Sequence, residues 1–148
     1  MLTNLFGKIM GFIVIVVTLA LAPSIVTSNV AITGHANVSS MIGMSTVGAF
    51  GAPLIILGLL TAGGIFVVAG VRGTKTASAK DLLSVVGSTI VAIVALTFMA
   101  TIMTYCQTLI DASTGFAVTI YSIIPLIIYI GIIAATGWNT AKTYRGMS

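Results

Sequence analysis

Residues 82–106 read LLSVVGSTIVAIVALTFMATIMTYC, a long stretch without one charged side chain. As a helix it would be about 37 Å long, more than the roughly 30 Å of hydrocarbon in a bilayer. Three other stretches share this character: Ile9 to Thr27, Phe50 to Val71 and Phe116 to Trp138. Strands can satisfy their backbone in lipid only by closing a barrel, whose mark is alternation of apolar and polar residues. Runs such as FIVIVVTLALA and PLIILGLL do not alternate. The expected fold class is all-α: one polytopic membrane domain over 1–148, with four transmembrane helices arranged as two hairpins.

Composition points the same way. The chain has 148 residues, 58% of them hydrophobic and 5% charged, and its mean hydropathy is +1.22. A soluble domain carries about a quarter charged residues to cover its surface. Six bases and two acids cannot do that.

The few charges are placed unevenly. VRGTKTASAKD, residues 71–81, holds Arg72, Lys75, Lys80 and Asp81; the other bases are Lys8, Lys142 and Arg145. With four crossings, all six bases fall on one side of the membrane, and the other side receives His35 and Asp111. Cytoplasmic loops retain Lys and Arg, so both termini are expected on the inner side. The six bases form an inner basic surface suited to anionic headgroups. They would equally meet packaged DNA if that face became the interior of a particle.

Local signals fill in the connections. ALA at 20–22 resembles a signal-peptide cleavage pattern, but Pro23 follows at once, so the first span is expected to be a retained helix bent near its outer end. Residues 28–49 form the longer outer connection. In it Met41, Met44, Val47 and Phe50 recur every third residue, the spacing of a short helix lying on the interface or, equally, of an early start to the second span. Pro53 falls in the first turn of the apolar run, where a missing N–H costs little. Gly70 and Gly73 suit a left-handed stop. Ser78 and Asp81 have the spacing of an N-terminal capping box, which makes Asp81 a structural residue. The connection between the third and fourth spans is short, and Pro125 should kink the fourth. Tyr105, Tyr121, Trp138 and Tyr144 sit where interfacial aromatics gather.

Little in the chain supports chemistry. Ionisable residues inside a membrane usually mark catalysis or transport, and the four spans contain no Asp, Glu, Lys, Arg or His. One His and one Cys do not make the usual metal site. Cys106, His35 and Asp111 share the outer side, but no local motif joins them as a nucleophilic trio, and a buried small thiol is the simpler reading of Cys106. The glycine-rich TAGGIFVVAGVRG follows a membrane helix and lacks phosphate-loop spacing. No enzyme activity, metal or cofactor is expected, apart from bound lipid.

Small residues have a better use. In lipid, helices associate by close packing at stripes of Gly, Ala and Ser. Gly58 and Ala62 make one such stripe, Ser84, Ser88 and Ala92 a second, and Gly131 and Ala135 a third. Asn37-Val38-Ser39 is an N-glycosylation sequon, and it lies on the side expected to be outside.

The layout of FGAPLIILGLLTAGGIFVVAGVRG, the basic turn and DLLSVVGSTIVAIVALTFMATI resembles the major coat proteins of archaeal spindle-shaped viruses. YSIIPLIIYIGIIAATGW adds a second hairpin where the best-known members have only two apolar segments. This resemblance implies a structural role: many copies packed side by side, often with lipid, in a virion shell around DNA. The expected partners are further copies of the chain, membrane lipid and packaged DNA, with no small-molecule substrate. The expected location is the host membrane or virion envelope. Conjugative pilins also join two apolar helices by a basic turn. A small pore or holin-like protein is the alternative of another class, although the spans lack the polar face of a pore.

Overall fold

The computed structural model describes residues 2–72 and 78–146. It contains four long helices: α1 (Leu2–Thr33), α2 (Met44–Arg72), α3 (Ala79–Asp111) and α4 (Phe116–Gly146). Each is long and apolar enough to cross a membrane. No strand occurs among the described residues. The expected all-α, four-helix membrane fold is the fold observed.

The helix ends follow local chemistry. At the start of α3, the Ser78 hydroxyl accepts the Asp81 N–H at 3.3 Å, and Asp81 Oδ2 accepts the Ser78 N–H at 2.8 Å. This is the reciprocal capping box expected from the sequence. The α1–α2 and α3–α4 connections turn on glycine: Gly43 has φ +75° and Gly115 has φ +65°, a left-handed conformation that disfavours residues with a Cβ. Gly73 and Lys75 lie outside the described residues, so the expected left-handed stop there is not described.

Contacts between helices define a square. α1 packs on α2 and α3, and α4 packs on the same two helices from the opposite corner. The hairpins are therefore α1–α2 and α3–α4. α2 and α3 are consecutive in sequence but sit across the diagonal and are not packing neighbours. Gly11 of α1 lies against Gly63 and Val67 of α2, while Asn29 reaches Gly48, so this pair runs antiparallel. Ser84 meets Thr143 at the other end of the second pair.

The core has a regular repeat. Along α3 the buried residues are Val85, Thr89, Ala92, Leu96, Met99, Met103 and Cys106, alternating steps of four and three. A seam with a 3.5-residue period wraps helices with a left-handed twist. Met10, Val14, Ile25 and Ile32 from α1 join it, with Ile55, Leu59 and Phe66 from α2 and Tyr129 from α4. Phe12, Phe98, Leu83 and Phe116 point outward. Bulky side chains occur on both sides, since Phe66 and Tyr129 are buried.

Several boundaries differ from the expectations. α1 continues past Thr27 to Thr33, and α2 begins at Met44, which shortens the outer connection to residues 34–43. Of the two readings of the Met41 to Phe50 spacing, the early start to the second span is the one observed. Only a 3₁₀ turn at Val38–Ser40 is present, and Met44, Val47 and Phe50 belong to α2 itself. Pro53 consequently lies well inside α2 rather than in its first turn. The reason is burial: Met41 and Met44 are drawn into the core beneath the connection, and that anchors an earlier helix start.

The shortened connection folds over the bundle. The Ile42 N–H donates to the Ser122 carbonyl of α4 at 3.0 Å. His35 reaches α3. The Asn37 N–H donates to His35 Nδ1, and Thr104 Oγ1 gives its proton to the Ala100 carbonyl, so His35 Nε2 is the donor toward Thr104 at 3.4 Å.

Candidate functional site

Two surfaces stand out: a basic rim at one end of the bundle and small-residue furrows on its side. The rim follows from topology. α1 and α3 start at this end, and α2 and α4 finish there. It therefore collects Lys8, Arg72, Lys80, Lys142 and Arg145, four of which are exposed and Lys8 half-buried. Lys75, the sixth base expected there, lies outside the described residues. The acid at this end, Asp81, is held in the Ser78 cap. His35 and Asp111 lie at the opposite end, where Asp111 Oδ1 accepts from Gln107 Nε2 at 2.8 Å.

The three stripes have different fates. Ala62 and Ala92 are buried, and Ser84 and Ser88 are half-buried. Ser84 does more than offer a smooth surface. Its hydroxyl pairs with Thr143 Oγ1 at 3.1 Å, and its carbonyl accepts from Asn139 Nδ2 at 3.2 Å, which ties α3 to α4 at the basic end. Ser88 turns its hydroxyl back to the Val85 carbonyl, as serine does in an apolar helix. Gly58, Gly131 and Ala135 are exposed. A Cβ placed at Gly58 or Gly131 would meet nothing within 4 Å. These positions are not used to pack the chain on itself.

Both furrows flank α4, the least buried helix of the four. One, between α2 and α4, is walled by Leu54, Gly58, Ala62, Ile133, Gly137 and Ala141 and encloses about 330 Å³. The other, between α3 and α4, is lined by Ser88, Val91, Ala92, Ile132 and Ala135. The expected stripes are thus brought together around α4.

The glycines that pack this chain on itself are different ones. A Cβ at Gly11 would lie 2.6 Å from the Val67 backbone nitrogen, and one at Gly63 would lie 2.6 Å from Ile15 Cγ1. A Cβ at Gly51 would overlap the Tyr129 hydroxyl. That hydroxyl donates to Asn29 Oδ1 at 2.5 Å, and Asn29 Nδ2 donates to the Gly48 carbonyl at 2.8 Å. α1, α2 and α4 are joined at this one buried polar node. None of these residues was expected from the sequence to matter. The Gly7-x3-Gly11 spacing was an available signal for the first contact.

Cys106 is buried in the seam, His35 is engaged by Asn37 and Thr104, and Asp111 by Gln107. Among the described residues no group of three His, Cys, Asp or Glu side chains could hold a metal ion. Asn37 of the sequon is half-buried at the head of the 3₁₀ turn, at the end opposite the bases. Comparison of the chain with protein-family models, curated proteins and solved structures finds no match.

Proposed function

We propose that this protein is a structural subunit that assembles with copies of itself in a membrane, as a coat protein of a spindle-shaped virus does. The observation that carries this reading is the exposed small-residue face of α4, where Gly131 and Ala135 stand free of intrachain packing beside the furrow of Ser88 and Ala92. Apolar side chains gain nothing by leaving lipid for another apolar surface. Helices meet where small residues let their backbones come close, and such a face suits a second copy. The basic rim is oriented toward the cytoplasm or, in a particle, toward its interior, where anionic lipid or DNA would neutralise it.

The test is reconstitution. Purified protein returned to lipid should form large homo-oligomers or sheets visible by electron microscopy, and planar bilayers containing it should carry no ion current. Gly131→Leu should reduce the assemblies while leaving the helix content unchanged. A monomer that conducts ions would refute this reading in favour of a pore.

A further inference from the structure

The furrow between α2 and α4 is apolar along its walls and cationic at its mouth. A second depression shares Thr61, Ile65 and Tyr144 with it and continues along α2 to Arg72. The two form one continuous track. From Gly58 to Arg72 it runs about 21 Å along the helix axis, which exceeds the roughly 15 Å depth of one leaflet's hydrocarbon. On α4, Gly137, Ala141 and Arg145 recur every four residues, so Arg145 stands on the furrow's face one turn beyond Ala141. Arg72 and Arg145 are both exposed.

Charge decides between the two natural occupants. A second copy in the same membrane orientation would bring its own basic rim against Arg72. Asp81, the acid at that end among the described residues, is already committed to the Ser78 cap. An anionic phospholipid supplies what the copy lacks. Its acyl chain fits an apolar track, and its phosphate suits the planar fork of a guanidinium. We propose that this furrow binds one acyl chain of an anionic phospholipid from the leaflet at the basic end, with the phosphate held at Arg72 and Arg145. The site belongs to the single chain and does not depend on whether copies assemble.

Trp138, next to the furrow residue Gly137, is the chain's one tryptophan and is 69% exposed, so it serves as a natural reporter. In nanodiscs holding one copy each, chain-brominated phosphatidylglycerol and phosphatidylcholine are compared as quenchers of its fluorescence. The anionic phosphatidylglycerol should be preferred, and Arg72→Gln and Arg145→Gln should each lower that preference about fivefold. Gly58→Phe should also lower it. Nothing lies within 4 Å of a Cβ there, so the new side chain leaves the backbone into open space on the wall of the track. Equal quenching by the two lipids in the unmodified protein would overturn the proposal. So would a preference untouched by all three substitutions. If Gly58→Phe dissolves oligomers while the lipid preference stays, the furrow is a protein contact and the proposal falls. Because the nanodiscs hold single copies, a failure of self-assembly leaves this measurement unaffected.

Discussion

Replacing Gly51 with Ala is the smallest change that should loosen the whole bundle. The added methyl overlaps the Tyr129 hydroxyl and sits 2.5 Å from Tyr129 Cζ and 2.9 Å from Asn29 Oδ1. Tyr129 has 0% exposure, so its ring has no free volume to move into. Either α2 and α4 separate or the ring leaves its partners, the Asn29 amide and the Gly48 carbonyl. Overpacking a filled core costs about 1–3 kcal/mol. Each interhelical hydrogen bond lost in a membrane costs about 0.6 kcal/mol, at most about 1.7. Ala gains about 1 kcal/mol over Gly in helix propensity, which offsets part of this. The net loss is about 1–3 kcal/mol, a roughly 5- to 150-fold rise in the open population. Cys106 reports it, because the chain's one thiol is buried at 4% exposure. When opening is fast relative to modification, the rate at which a thiol-reactive dye labels Cys106 tracks that population. Tyr129→Phe removes the hydroxyl that the methyl strikes. The double variant should therefore be about 1–2 kcal/mol more stable than the sum of the two single changes. Labelling of Gly51→Ala within threefold of the parent, or strict additivity with Tyr129→Phe, would refute the reasoning.

Gly63→Leu should part α1 from α2 by forcing a branched chain against Ile15, read as faster dye labelling of the buried Cys106 thiol. Ser78→Ala removes one half of the capping box at α3. It should cost about 1 kcal/mol, read as faster amide exchange in residues 79–82 with the rest of α3 unchanged. Cysteines introduced singly at Ser113 and Lys142, with Cys106→Ala to silence the native thiol, should label from opposite faces of a sealed vesicle; labelling from one face would overturn the four-crossing topology.

The fold class was legible because uncharged length is a strong signal in a chain with eight charges. The side of each helix that faces the core was not. In water, burial sorts apolar from polar residues, but here Leu96 is buried and Leu83 is exposed, and both are leucine. Lipid is as apolar as the core, so polarity carries no inside–outside contrast, and size does not replace it: Phe66 and Tyr129 are buried while Phe12 and Phe98 are exposed. The ends of α1 and α2 were obscured for a related reason. Asn29 reads as the end of an apolar run, yet its amide is satisfied by Gly48 and Tyr129, and the helix continues through it. The stripes at Gly58 and Gly131 could be found by spacing, but spacing alone did not say that they would face outward. The glycines at 11, 51 and 63 are demanded by backbone approach between helices, which no single helix reveals.

The polar node also carries a sequence of events. The ribosome delivers α1 and α2 first, and Asn29 can bond the Gly48 carbonyl as soon as those two helices meet. Its amide oxygen then lacks this donor until α4, the fourth of the four helices, brings in Tyr129. The early hairpin thus enters the bilayer with one acceptor waiting and the space beside Gly51 open to receive the ring. Completion of the four-helix bundle is keyed to α4, and the first three helices without Tyr129 would leave that amide oxygen without its donor.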